Sequence, residues 1–176
     1  LYIEYPQRMV QLSINILNKT IMRSKTAEWF ICKVRYEKMM ENGQQKKVTE
    51  TYVVDAVSFA EAEKRITKEM SAYISGEFEV TGVQKANFKE IFFDDENISA
   101  DRYFKAKLQF LTLDEKTDKE KQTRVHYLVH ANTLRQAIDN IDKAMGETMM
   151  DYVSASLSET PIMDVFEHEK EEETAE

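Results

Sequence analysis

Residues 29–36 read WFICKVRY and residues 103–110 read YFKAKLQF, and these two stretches decide the fold. In each stretch an apolar side chain occupies every second position, which is the period of a β-strand with one buried face. Phe30 of the first stretch corresponds to Phe104 of the second, an offset of 74 residues. The chain therefore carries the same strand pattern twice.

The similarity continues through the segments that follow each stretch. Seven residues of the first copy, Tyr52, Val54, Ala56, Ala62, Ile66, Lys68 and Met70, are identical to Tyr127, Val129, Ala131, Ala137, Ile141, Lys143 and Met145. Later, Glu90-Ile91-Phe92 matches Asp164-Val165-Phe166. Identities at the apolar positions of several elements indicate one duplicated supersecondary unit. Two copies are too few for a solenoid, so we expect a closed pseudo-symmetric pair.

Local signals place turns and helices within each copy. Asn42-Gly43 predicts a tight hairpin turn between two strands. Ser58 with Glu61, and Thr133 with Gln136, form capping boxes that begin two helices. The apolar faces of these helices are Phe59, Ala62, Ile66 and Met70 in the first and Leu134, Ala137, Ile138, Ile141 and Met145 in the second. Gly76 and Gly146 lie where a left-handed residue commonly ends a helix.

A third strand is predicted at residues 78–83 and at residues 152–157, and a short apolar piece closes each copy at 88–93 and 162–166. A right-handed crossover places each third strand parallel to the second and beside the first. The predicted fold is α+β, with tandem pseudo-symmetric β-β-α-β repeats. Its sheets are mostly antiparallel, and each is covered on one face by a helix.

The chain divides into four parts by composition. Residues 1–27 form an N-terminal extension whose first 21 residues we expect not to be native, the alternative being a loosely docked arm. Residues 28–98 and 99–166 are the two repeats, packed together as one globular unit. Residues 167–176 hold six acidic residues against one lysine and form an acidic tail that we expect to be disordered.

The overall composition excludes several classes of protein. One cysteine excludes an internal disulfide framework and fits a reducing cytoplasm. A net charge of −8 argues against uniform attraction to nucleic acid or to an anionic membrane. No apolar run approaches the length of a transmembrane span.

Several segments together resemble a known family. These are residues 29–36, Glu77-Phe78-Glu79-Val80, residues 87–93, Asp101-Arg102-Tyr103-Phe104-Lys105 and residues 158–165. They resemble an uncharacterised domain family of gut Bacteroidetes and their tailed phages, over residues 28–167. The resemblance implies a small cytoplasmic protein of such a bacterium or of a phage-infected host cell. It implies no catalytic residues, because the family is known as a domain of unknown function.

Candidate catalytic and metal-ligating residues are few. His126 and His130 lie four apart on a predicted strand and are therefore about 13 Å apart, too far for one metal. Cys32 alternates with Phe30 and Val34 and is expected to be a core residue. Residues 94–96 are acidic but lack the glycine and spacing of a calcium loop. We expect no enzymatic activity, no catalytic residue, no cofactor and no metal.

One constellation indicates a binding role. The predicted sheet face opposite the helices shows Trp29, Lys33, Arg35 and Lys47 from the first copy, and Tyr103, Lys105, Lys107, Arg124, His126 and His130 from the second. Cations interleaved with aromatic rings are typical of single-stranded nucleic-acid binders. The face therefore supports sequence-tolerant binding of single-stranded DNA or RNA.

Other residues of the same face favour a different role. Glu37, Glu77 and Glu79 lie on or beside it and are expected to pair with its cations. Three apolar residues, Ile31, Val53 and Leu128, share the same parity and suit a dimer interface or the packing surface between the repeats. The leading hypothesis is a non-enzymatic accessory protein that acts through protein–protein binding or self-association. Single-stranded nucleic-acid binding is the alternative.

Overall fold

The computed structural model describes residues 27–114, 117, 119–148 and 150–168, with the side chains of residues 112–114 excepted. The strands are β1 (Glu28–Met39), β2 (Gln45–Ala56), β3 (Phe78–Lys85), β4 (Glu90–Phe92), β5 (Arg102–Asp114), β6 (Lys119–Ala131), β7 (Tyr152–Glu159) and β8 (Ile162–Phe166). The helices are α1 (Phe59–Tyr73) and α2 (Leu134–Gly146). The expectations for residues 1–26 and for the acidic tail from residue 169 onward lie outside the described residues.

These elements form two mixed four-stranded sheets, so the predicted α+β class is confirmed. The first sheet has the order β3-β1-β2-β8, and the second has the order β4-β6-β5-β7. In the first, β1 is antiparallel to both β2 and β3, so β3 runs in the same direction as β2. In the second, β5 is antiparallel to both β6 and β7. Each third strand thus lies beside the first strand of its hairpin, as a right-handed crossover predicts.

The two short strands join the sheets in a way that the sequence did not indicate. The last strand of the chain, β8, pairs in parallel with β2 of the first sheet. The short strand β4, which follows β3 along the chain, pairs in parallel with β6 of the second sheet. Each sheet therefore takes its fourth strand from the other half of the chain.

The predicted Asn42-Gly43 hairpin turn is confirmed. Gly43 has φ +79°, a left-handed conformation that glycine adopts at no steric cost. The Asn42 side-chain oxygen accepts from the backbone N–H of Gln44 at 3.1 Å. The Gly43 N–H donates to the carbonyl of Met40 at 2.9 Å, which closes the turn.

Both helices begin at the predicted caps. Ser58 Oγ accepts from the N–H of Glu61 at 3.2 Å, and Glu61 Oε2 accepts from the N–H of Val57 at 3.1 Å. Thr133 Oγ1 likewise accepts from the N–H of Gln136 at 3.1 Å. The Gln136 amide, however, donates to Asn140 Oδ1 at 3.0 Å, so the second capping box is only half formed.

The predicted glycine termini of the helices are wrong. Helix α1 is followed by Ile74 in an extended conformation, and the Ile74 N–H donates to the Met70 carbonyl at 2.8 Å. Gly146 is the last residue of α2 itself. Among the described glycines only Gly43 has a positive φ, so neither Gly76 nor Gly146 supplies a left-handed cap.

Each helix covers one face of one sheet. Helix α1 buries Ala62, Ile66 and Met70 against the first sheet, and α2 buries Ala137, Ile141 and Met145 against the second. The buried residues follow a strict four-residue spacing, so the contact stripe is narrower than predicted. Three residues assigned to the buried helix faces, Phe59, Leu134 and Ile138, are exposed instead.

Cys32 lies in the core beneath α1, as predicted. Its side chain is fully buried beside Phe30 and Val34. Burial, and then the negative charge of Glu63, raises the pKa of the Cys32 thiol to about 12. The thiol therefore stays protonated and behaves as a small apolar group.

A third apolar cluster lies between the two sheets, on the faces away from the helices. Its buried members are Val53, Phe88, Ile91, Tyr103, Leu128 and Ile162, and Trp29, Ile31, Ala86, Phe93 and Val165 pack against them. We call this cluster the inter-sheet core. Both exchanged strands contribute to it, Ile91 from β4 and Ile162 from β8.

Ile162→Ala is expected to lower the free energy of unfolding by about 2–5 kcal/mol, because it leaves a cavity in the inter-sheet core. The matched control is Met163→Ala on the same strand, where the side chain is 51% exposed and the expected change is within about 0.5 kcal/mol. Urea denaturation of both variants measures the difference. Equal destabilisation by the two substitutions would contradict the role of Ile162 in this core.

Candidate binding face

The candidate face is the side of each sheet that points away from its helix. On β1 it carries Trp29, Lys33 and Arg35, and on β5 it carries Tyr103, Lys105 and Lys107. The first residues of both strands lie in or against the inter-sheet core, whereas the later residues extend beyond it. The face is therefore divided into an apolar part that packs the sheets together and a polar part that does not.

Tyr103 belongs to the apolar part, so its predicted exposure is wrong. Its side chain is 4% exposed, and its ring stacks on His130 with centroids 4.7 Å apart. The Tyr103 hydroxyl donates to Asp164 Oδ1 at 3.3 Å. Burial, followed by the negative charge of Asp164, raises the pKa of Tyr103 above its ordinary value. The ring is enclosed and is not available to stack on a nucleic-acid base.

Trp29 and His130 are also partly enclosed. Trp29 is half-buried against the inter-sheet core and registers opposite Asp55 of β2. Asp55 is buried and forms an ion pair with Arg65 of α1. His130 Nδ1 is buried without a hydrogen-bond partner among the described residues. Trp29 and His130 are therefore less accessible than the sequence predicts.

On the first sheet, two of the three cations of the polar part lie beside carboxylates. Arg35 forms an ion pair with Glu79 of β3 at 2.6 Å, as the sequence predicted. Lys47 registers opposite Glu37 of β1. Lys33 registers between Thr51 of β2 and Gly82 of β3. Arg35 and Lys47 therefore have a carboxylate beside them, and Lys33 has none in register.

On the second sheet, two lysines, an arginine and a histidine lie together with no carboxylate in register. Lys107 registers opposite His126, and Gln109 registers opposite Arg124, so Lys105, Lys107, Arg124 and His126 occupy neighbouring positions on β5 and β6. Lys105 and Lys107 are half-buried. In the part of the chain that the structure describes, none of the four forms an ion pair. We call these four residues the basic patch.

The pKa of His126 is affected by the charges of the basic patch. Partial burial, and then the positive charges of Lys105 and Lys107, lowers the pKa of the His126 imidazole. No carboxylate contributes to that shift. The three side chains are thus close enough to repel one another, which is destabilising for directly opposed like charges in a sheet.

Two serines that sequence reasoning missed complete the patch. Ser156 registers opposite Lys107, and Ser158 registers opposite Lys105, both on β7. Both serines are exposed. The signal that finds them is the pairing of β5 with β7, because residues directly opposed in a register share one face of the sheet. Their hydroxyls add hydrogen-bond donors beside the lysines.

The remaining candidate residues offer no second site. His126 and His130 lie on strand β6, as predicted. Asp94 accepts a hydrogen bond from Asn140 at 2.9 Å, and Glu96 lies 3.4 Å from Lys143. Within the described ranges no group of three or more His, Cys, Asp or Glu side chains is arranged to hold a metal ion. Neither described helix is long and apolar enough to cross a membrane.

Lys107→Gln is expected to raise the pKa of His126, because it removes one of the two positive charges that disfavour the imidazolium. In the native protein this pKa lies below that of the unfolded chain, so protonation of His126 reduces stability as the pH falls through the unfolded value. An NMR titration of the His126 ring, assigned with His126→Gln, measures the shift. Lys47→Gln on the first sheet is the control and should leave the titration unchanged; an unchanged pKa in Lys107→Gln would count against the patch.

Comparison with known proteins identifies a family. No curated protein and no solved structure matches the chain. One family model matches residues 28–168, which includes every element from β1 to β8. With both sheets and the basic patch inside that match, the chain belongs to the family described as Domain of unknown function (DUF4494).

Proposed function

We propose that this protein acts by binding rather than by catalysis, and that it associates with a second copy of itself through the outer edge of β7. Two properties of this edge support the proposal, its lack of a described partner strand and its lack of charge. Strand β7 pairs with β5 on one side, and no described strand pairs with its other side. Its first seven residues, Tyr152 to Ser158, carry no charge. An uncharged edge of this length is a template for pairing with another strand.

The other long edge strand is protected by charge. Strand β3 carries Glu79, which pairs with Arg35, and Lys85, which pairs with Glu28, each at 2.6 Å. Charged side chains on an edge discourage pairing with another chain. Both β3 and β7 contain a register shift, so the shift does not distinguish them. Absence of charge is what sets β7 apart.

Exposed apolar side chains lie at the start of the same edge. Val153 is 54% exposed, and Met150 just before the strand is 48% exposed. Leu111, whose N–H donates to the Asp151 carbonyl at 3.4 Å, is 40% exposed. Antiparallel pairing of β7 with β7 of a second copy is isologous, so both copies bury the same side chains. Such a dimer extends the second sheet across the two chains.

Sequence arguments supply the wider setting of this proposal. The resemblance to a family of gut Bacteroidetes and their tailed phages supports an accessory protein of the cytoplasm, without a cofactor. We further infer that the two halves derive from one duplicated β-β-α-β unit packed as one globular body. Two observations support that origin: both helices begin at hydroxyl caps, and both third strands pair with the first strand of their hairpins.

Val153→Lys is expected to shift the protein from dimer to monomer, because it places a charge on the edge that pairs. The control is Met39→Lys, since Met39 is 61% exposed and ends β1 away from this edge. Size-exclusion chromatography with light scattering measures the mass of each variant. A native protein that stays monomeric at all concentrations, or a dimer unaffected by Val153→Lys, overturns the proposal.

Single-stranded nucleic-acid binding is the second candidate, and the basic patch favours it. Its two lysines, its arginine and its histidine form no ion pair among the described residues. The burial of Tyr103 weighs against base stacking, so any affinity should come from phosphate contacts.

Fluorescence anisotropy with a labelled oligothymidylate tests this candidate at about 50 mM and about 200 mM salt. Binding is expected at the lower concentration and should weaken steeply at the higher one, since each neutralised phosphate adds to the salt dependence. The absence of binding at the lower salt concentration rules out this function.

A further inference from the structure

Three adjacent strands place a hydroxyl, an ammonium and an imidazole in one row across the second sheet. Ser156 of β7 registers opposite Lys107 of β5, and Lys107 registers opposite His126 of β6. Lys105 lies two residues before Lys107 and therefore on the same face. The row lies beyond the buried members of the inter-sheet core, so its polar ends are accessible.

On the corresponding part of the first sheet, two cations lie beside carboxylates. There Arg35 has Glu79 beside it at 2.6 Å, and Lys47 has Glu37 opposite. On the second sheet, Ser156 and Ser158 register opposite Lys107 and Lys105, and neither serine carries a charge. Two half-buried lysines beside a histidine repel one another, and partial burial reduces the screening by salt. No negatively charged side chain registers opposite either lysine.

We propose that Lys105, Lys107 and His126, with the Ser156 hydroxyl, bind a phosphate group. A phosphate presents several acceptor oxygens at once, and these four side chains supply ammonium, imidazole and hydroxyl donors from three strands. Hydrogen bonds between a cation and an oxyanion are about twice as strong as those between neutral groups. Lysine binds phosphate as a point charge, so no planar guanidinium is needed.

Phosphate binding is coupled to the protonation of His126. The charges that act on this imidazole are those of Lys105 and Lys107 on β5. Arg124 lies two residues before it on β6, and the backbone N–H of Lys89 donates to the His126 carbonyl at 2.8 Å. The neighbouring carboxylate, Glu90, registers with Tyr127 on the helix-facing side of the sheet. Burial, and then the lysine charges, lower the pKa of His126, and a bound anion raises it because a nearby negative charge favours the imidazolium. By reciprocity, phosphate binds more tightly as the pH falls through that range.

The phosphate has two possible sources with the same chemistry: a free phosphate or phosphomonoester, and the backbone of a single-stranded nucleic acid. A single phosphate needs only the row described above. A backbone also reaches Arg124, which lies one row further along β6. Two probes, inorganic phosphate and an oligonucleotide, distinguish these two sources.

The experiment titrates inorganic phosphate, and in a second arm oligothymidylate, into the full chain at about 50 mM chloride. NMR follows the His126 ring over a range of pH. The expected result is saturable binding that raises the pKa of His126 and is weakened roughly tenfold by Lys107→Gln. Lys47→Gln, the matched control on the first sheet, should bind as the native protein does.

Each outcome decides the proposal. Binding of either probe that depends on Lys107 supports it, and the probe that binds identifies the source. Equal loss in Lys107→Gln and Lys47→Gln indicates general charge attraction and overturns it, as does the absence of binding of both probes. If Lys107→Gln does not fold, Lys105→Gln and His126→Gln replace it. Repeating the titration at several protein concentrations separates this result from self-association.

Discussion

The packing of the two sheets through the inter-sheet core is the interaction on which the rest of this structure depends. Each sheet has a helix on one face, so its other face must be covered wherever it is apolar. Val53 of the first sheet and Leu128 of the second are fully buried in that contact. The exchanged strands add Ile162 and Ile91 to it. Because each sheet takes one strand from the other half of the chain, the core and the sheets are completed together.

The same core determines which part of the outer face is exposed. It encloses Tyr103 and half-buries Trp29, and it leaves the later residues of β1 and β5 open. At those open ends the two sheets differ in charge. The first pairs Arg35 with Glu79, whereas the second places Lys107 beside His126 and Ser156. The proposed anion site rests on this difference, because no carboxylate registers opposite Lys105 or Lys107.

The two proposed surfaces lie on the same sheet but use different chemistry. The edge of β7, which pairs with no described strand on its outer side, offers backbone groups and exposed apolar side chains such as Val153. The basic patch offers side-chain donors on the face of β5 and β6. Ser156 lies on both, because its backbone is on the edge and its hydroxyl is on the face. Val153, opposite Gln109, lies on the same face as the patch, so the two proposed surfaces adjoin at β7.

Local pattern by itself determined the strands, the Asn42-Gly43 turn, the helix starts and the burial of Cys32. These follow from periodicity and from hydrogen bonds between residues a few positions apart, which the sequence states directly. Only the tertiary structure decided that β4 and β8 exchange sheets, that Tyr103 is enclosed and that Ser156 lies beside Lys107. Alternation tells which face of a strand a residue occupies, and it does not tell where along that face a distant segment packs. Tyr103 and Lys105 share a face, and the position of the other sheet makes one of them core and the other surface.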